Sequence, residues 1–148
     1  MKNAQDFNSR IVGGSVAEFP IPWQVRVGGC GGTILDEYTI LSAAHCSINS
    51  NSYILAGYTS AQSGPAAQKI RVKNVFRHPN FNYFKKRFDY SIVKLRKPLT
   101  FNSKVKPACL PKSANFDVGN FALASGWGSI KNAGEFVLEF NISMIYAK

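Results

Sequence analysis

Acidic residues are scarce in this 148-residue chain: 8 Asp and Glu stand against 18 Lys and Arg, a formal net charge of +10. The deficit is local, because residues 69–112 hold 13 of those cations and a single acid, Asp89. Long apolar runs are missing too. None approaches the ~18–20 residues of a membrane span, so no transmembrane segment is expected. The opening MKNAQDFNSR is polar and has no hydrophobic signal-peptide core. Helical periodicity is absent at useful length, and only residues 43–47 read as one short turn. The two histidines, His45 and His78, lie far apart among scattered carboxylates, so neither a metal site nor a cofactor is expected. Residues 58–68 contain no acid, which argues against a calcium loop there. No nucleic-acid module pattern accompanies the basic segment, which excludes nucleic acid as the expected partner.

What is present is strand periodicity. WQVRV alternates from Trp23 to Val27, with Gln24 and Arg26 on the face opposite the three apolar residues. GGTIL, YTILS, SYILAGY, QKIRVKNVF and YSIVKL follow at short intervals, separated by turn-forming SINSN, QSGPA, RHPNFN and RKPLTFN. About six strands fall before residue 112, and NFALASGW and EFVLEFNISMIY supply two more. An all-β barrel or sandwich is the expectation. Asn141-Ile142-Ser143 fits the N-glycosylation sequon, but its place in an apparent strand predicts that it stays unmodified. The basic segment 69–112 would attract acidic glycans, mucins or anionic lipid heads; the simpler reading is a solvated face.

Three cysteines point to an oxidising compartment. Cys30 and Cys46 flank two strand-like runs, and a bridge between them would stabilise by about 3 kcal/mol in the chain-entropy account. Cys109, in KPACLPK, is then left over, which suggests a partner outside these residues.

Arg10-Ile11-Val12-Gly13-Gly14, PWQV, CGGT, LSAAHC, FDYSIVKL, PACLP and SGWG occur in that order. Together they resemble the chymotrypsin/trypsin family of serine endopeptidases, over residues 11–148. The resemblance implies an all-β, chymotrypsin-like first six-stranded antiparallel barrel at about 23–112 and the first strands of an incomplete second barrel at about 120–148. It makes residues 1–10 a short propeptide-like segment, with activation by cleavage between Arg10 and Ile11.

The resemblance also assigns chemistry. His45 matches the catalytic histidine, a position that suits imidazole because such side chains exchange protons near neutral pH. Asp89 matches the carboxylate that orients the imidazole and stabilises its charged form. Here Tyr90-Ser91 follows that aspartate, where the family usually has a small apolar pair. His78, in RHPNF, is expected to be structural. No GDSGG and no G-x-S-x-G occurs, and Ser15 and Ser125 belong to motifs with other purposes. The expectation is a secreted serine endopeptidase by family, acting on polypeptides and open to protease inhibitors. This chain would be a fragment without the nucleophile, oxyanion hole or substrate pocket, and inactive alone. The alternative is a catalytically dead binding module for a protein or an acidic glycan on segment 69–112.

Overall fold

The computed structural model describes residues 15–16, 21–58, 68–112, 121–127 and 141–146. The chain divides into two compact units, one of Pro20–Tyr58 with Ser63–Lys112, the other of Met1–Phe19, Thr59–Gln62 and Ser113–Lys148. No helix occurs among the described residues, so none is long and apolar enough to cross a membrane.

The first unit is a closed barrel of six antiparallel strands. They are β2 (Gln24–Val27), β3 (Cys30–Asp36), β4 (Thr39–Ser42), β5 (Tyr53–Ala56), β6 (Gln68–Arg77) and β7 (Ser91–Leu95), in the order β2-β3-β4-β7-β6-β5. Pairing of β2 with β5 closes the ring, so no strand edge is left unpaired. Alternation explains the interior. Val25, Val27, Ile34, Ile40, Ile54, Ala56, Val72 and Val93 are fully buried, and the β-branched Val and Ile among them suit a pleated, crowded surface. Trp23 departs from the expected alternation. It sits in the turn before β2 and is 43% exposed, while its carbonyl accepts a hydrogen bond from the Ile34 amide at 2.8 Å.

Two glycines allow the β2–β3 pairing. Gly28 takes a φ of 59° in the two-residue turn between Val27 and Cys30, a region that branched residues avoid. Gly32 lies where a Cβ would come within 2.7 Å of Ile40 Cγ2 and 3.1 Å of the Leu41 carbonyl oxygen. The neighbouring strand can therefore approach only because hydrogen stands there.

The second unit holds a three-stranded sheet, β1 (Ser15–Val16), β9 (Asn141–Tyr146) and β8 (Phe121–Gly126), in the order β1-β9-β8. The sequon at Asn141 opens β9, which pairs on both sides, with Asn141 opposite Val16 and Gly126. The start of EFVLEFNISMIY, residues 135–140, lies outside the described residues.

Candidate active site

Register brings distant residues together. β4 and β7 are antiparallel, and their last pair is Ser42 opposite Ser91. The segment leaving β4 and the segment entering β7 therefore emerge at the same end of the barrel. His45, three residues past Ser42, meets Asp89, two before Ser91. The His45 amide donates to Asp89 Oδ1 at 2.8 Å, and Nδ1 lies 2.6 Å from Oδ2. A carboxylate only accepts, so this contact holds the imidazole proton on Nδ1 and leaves Nε2 with its lone pair. The His45 side chain is 46% exposed, whereas that of Asp89 is 21% exposed.

Withdrawal from water disfavours the Asp89 charge, but the hydrogen bonds from the His45 side chain and amide outweigh it. The carboxyl is held below the ordinary aspartate range. Arg87, two residues before Asp89, forms no ion pair with it and lies over the Phe88 ring, 5.9 Å from its centroid.

Neighbouring groups brace this pair. The buried Ser91 hydroxyl donates to the Ala43 carbonyl at 3.0 Å, joining the aspartate's strand to the histidine's turn. This hydroxyl tie is what the second residue of the Tyr90-Ser91 pair contributes. Ser42 Oγ likewise donates to the Gly31 carbonyl at 2.8 Å. Cys30 and Cys46 form the expected disulfide, which anchors the residue next to His45 to β3.

Sequence reasoning missed Arg77. Its guanidinium donates to the carbonyls of Ala44 at 3.1 Å, Cys46 at 3.3 Å and Ile48 at 3.0 Å, gripping the turn on both sides of His45. Counting it within a solvated basic face overlooked that β6 ends beside this turn, and no residue pattern signals that arrangement.

His78 lies outside the pair. It stacks on Phe88 with ring centroids 4.8 Å apart, meets Tyr90 at the same separation, and accepts the Asn80 amide on Nδ1. Ligand atoms of Cys30, His45 and Cys46 come within 4.8 Å of one another, but both sulfurs are joined in the disulfide and offer no thiolate. Cys109 is free and exposed. Arg10 and Ile11 lie outside the described residues, as does most of the 58–68 stretch considered for calcium.

A closed antiparallel barrel with a His–Asp pair at one end defines the chymotrypsin-like class of all-β proteins. The chain belongs to the trypsin family, whose family model, "Trypsin", matches residues 11–148. It is 33% identical over 141 residues to "Trypsin 5G1" of Aedes aegypti, an alignment covering 90% of this chain and 53% of that one. It is 33% identical over 135 residues to "Serine protease 1" of Canis lupus familiaris, covering 88% and 54%. With "Ovochymase-2" of Mus musculus the identity is 32% over 139 residues, covering 85% and 23%. The chain thus spans about half, or less, of the length of these curated relatives.

Proposed function

We propose that this chain carries the proton-handling half of a secreted serine endopeptidase. In this reading His45 Nε2 takes the hydroxyl proton of a serine as its oxygen attacks the scissile carbonyl carbon. Nε2 then gives that proton to the leaving amine, and water hydrolyses the acyl-enzyme by the same route in reverse. Asp89 keeps the imidazole in the required tautomer and stabilises it while it is charged. The observation that carries this reading is the 2.6 Å contact between Nδ1 and Oδ2; Nε2 lies 3.8 Å from Cys46 Sγ, a disulfide sulfur with no proton to donate, and so keeps its lone pair.

The serine is proposed to come from outside these 148 residues. Ser15 and Ser125 lie within strands, Ser42 and Ser91 are committed to carbonyls, and no G-x-S-x-G is present. Cleavage between Arg10 and Ile11 is proposed as the activating event. The disulfide suits an extracellular site of action.

The test uses the native protein isolated from its source. A fluorophosphonate, which phosphonylates activated serines, is expected to label a serine joined to this sequence by the backbone or through Cys109. A His45→Ala variant is expected to lose that label. A non-reduced species of 16.3 kDa with a free thiol and no labelling would overturn the protease reading in favour of a binding one. The 148-residue polypeptide alone is expected to hydrolyse no peptide or ester substrate. Turnover by it that disappears in His45→Ala would show that the serine has been sought in the wrong place.

A further inference from the structure

Several cations of the basic segment have structural work. Arg77 grips the histidine turn, Arg96 Nε donates to the Val72 carbonyl, and Lys94 Nζ donates to Thr39 Oγ1. One group stands apart. Register places Arg26 opposite Leu55, and Leu55 opposite Lys69, so these three form one rung across β2, β5 and β6. Their neighbours Val25, Val27, Ile54 and Ile70 point into the core, which puts the rung on the outer face. The next rung pairs Tyr53 with Arg71, beside the bare backbone of Gly28, around which a Cβ would meet nothing within 4 Å.

Beside Gly28 lies a shallow hollow of about 390 Å³, lined by Arg26, Gly28, Ser52, Tyr53, Leu55 and Lys69. Two cations and no acid line it. The backbone of Arg26 pairs in the barrel, but its guanidinium makes no hydrogen bond or ion pair among the described residues. Lys69 Nζ and the Arg71 guanidinium are both held over the Tyr53 ring, at 4.8 and 5.9 Å from its centroid. Arg71 is further fixed by donating to the Ser50 carbonyl at 3.1 Å and Asn51 Oδ1 at 2.7 Å. Lys69 and Arg71 are therefore held in place before any ligand arrives, while the Arg26 guanidinium is left to pair with one. The connecting residues 57–67 carry no charge that could neutralise them.

We propose that this hollow is a binding site for a sulfated glycan chain. Arg26 and Lys69 lie two strand spacings apart, about 10 Å, and Lys69 and Arg71 two residues apart along β6, about 7 Å. Such an open row matches a polymer whose anionic groups recur along its length; a shallow surface cannot enclose a small ion. A peptide could add backbone pairing only at a free strand edge, and β2, β5 and β6 are each paired on both sides. Recognition therefore falls to the side-chain cations, with the Tyr53 ring and Leu55 as an apolar floor beneath a sugar ring. This site is independent of the His45–Asp89 chemistry.

The test titrates the 148-residue chain with a size-defined heparin octasaccharide, with a glutamate hexapeptide and inorganic sulfate as competing probes. Saturable binding is expected, with amide shifts centred on Arg26, Gly28, Tyr53 and Lys69. An Arg26→Gln/Lys69→Gln variant should bind roughly 10-fold more weakly, and a Lys85→Gln/Lys86→Gln variant of equal charge within about twofold of the parent. Equal losses in both variants, or shifts spread over all basic residues of the parent, would reduce the effect to net charge and overturn the site. So would equally tight binding of the glutamate peptide, displacement by low sulfate, or no binding.

Discussion

At the scale of single residues, the Asp89 carboxylate is the group whose protonation matters most. Its folded-state value lies below the ordinary aspartate range, so the unfolded chain binds its proton more readily. The stabilisation is complete above the ordinary value of about 4 and is lost as pH falls through the lower folded one. Asp36 acts in the same direction: burial works against its charge, but bonds from the Thr39 hydroxyl and the Tyr38 amide, with Lys94 nearby, prevail. Urea midpoints are therefore expected to be level from neutral pH down to about 5 and to fall below it. Asp89→Asn should flatten that fall and remove the low-field proton resonance of His45 Nδ1. An unchanged acid limb would mean that the pair contributes nothing to folding. Arg77 gives a second residue-scale prediction. Lys in its place offers one compact ammonium instead of a planar fork, so Arg77→Lys should cost about 1.5–3 kcal/mol in urea unfolding. It should also broaden the His45 resonance, a change that loss of distant packing would not produce. His45 and Asp89 could be named from LSAAHC and FDYSIVKL, whereas Arg77 could not, because its partners are carbonyls and any sequence supplies carbonyls.

At the scale of elements, the strands were legible because their alternation is strong and their turns are marked. QKIRVKNVF foretold β6 and YSIVKL foretold β7. β1 was not foreseen, since two residues carry no period; its pairing with β9 alone makes it a strand. Nor did periodicity reveal the bulges, between Ile34 and Asp36 in β3 and between Val72 and Asn74 in β6. These depend on how neighbouring strands must curve to close a ring. Close approach of strands gives a sharp test at Gly32. Gly32→Ala should destabilise the barrel by about 1–3 kcal/mol, because Ile40 and the Leu41 backbone must move to admit a methyl group. A thermal midpoint within a degree of the parent would show that the strands have slack. Replacing Cys30 and Cys46 together by Ala should cost about 3 kcal/mol, read from urea unfolding, while Cys109→Ala should cost almost nothing.

At the scale of the whole molecule, charge is the dominant feature. The barrel unit, Pro20–Tyr58 with Ser63–Lys112, carries 14 Lys and Arg against 3 Asp and Glu. Self-repulsion on that scale opposes compaction and is screened by salt. The unfolding temperature of the chain is therefore expected to rise between low salt and about 0.3 M sodium chloride. A fall on adding salt would mean that attractive pairs, not repulsion, govern its electrostatics. The family, the all-β class and the Cys30–Cys46 bridge were determined by the sequence alone, and His45 and Asp89 could be singled out there as candidates. Short motifs and period-two alternation are local properties, and local properties survive in a string of residues. Only the tertiary structure decided that Ser42 faces Ser91, and with it that an imidazole meets a carboxylate 44 positions away. It likewise decided that Arg77 braces that turn while Arg26, Leu55 and Lys69 share one outer rung. Register and barrel closure join residues across strands, and that information exists only once the strands have paired.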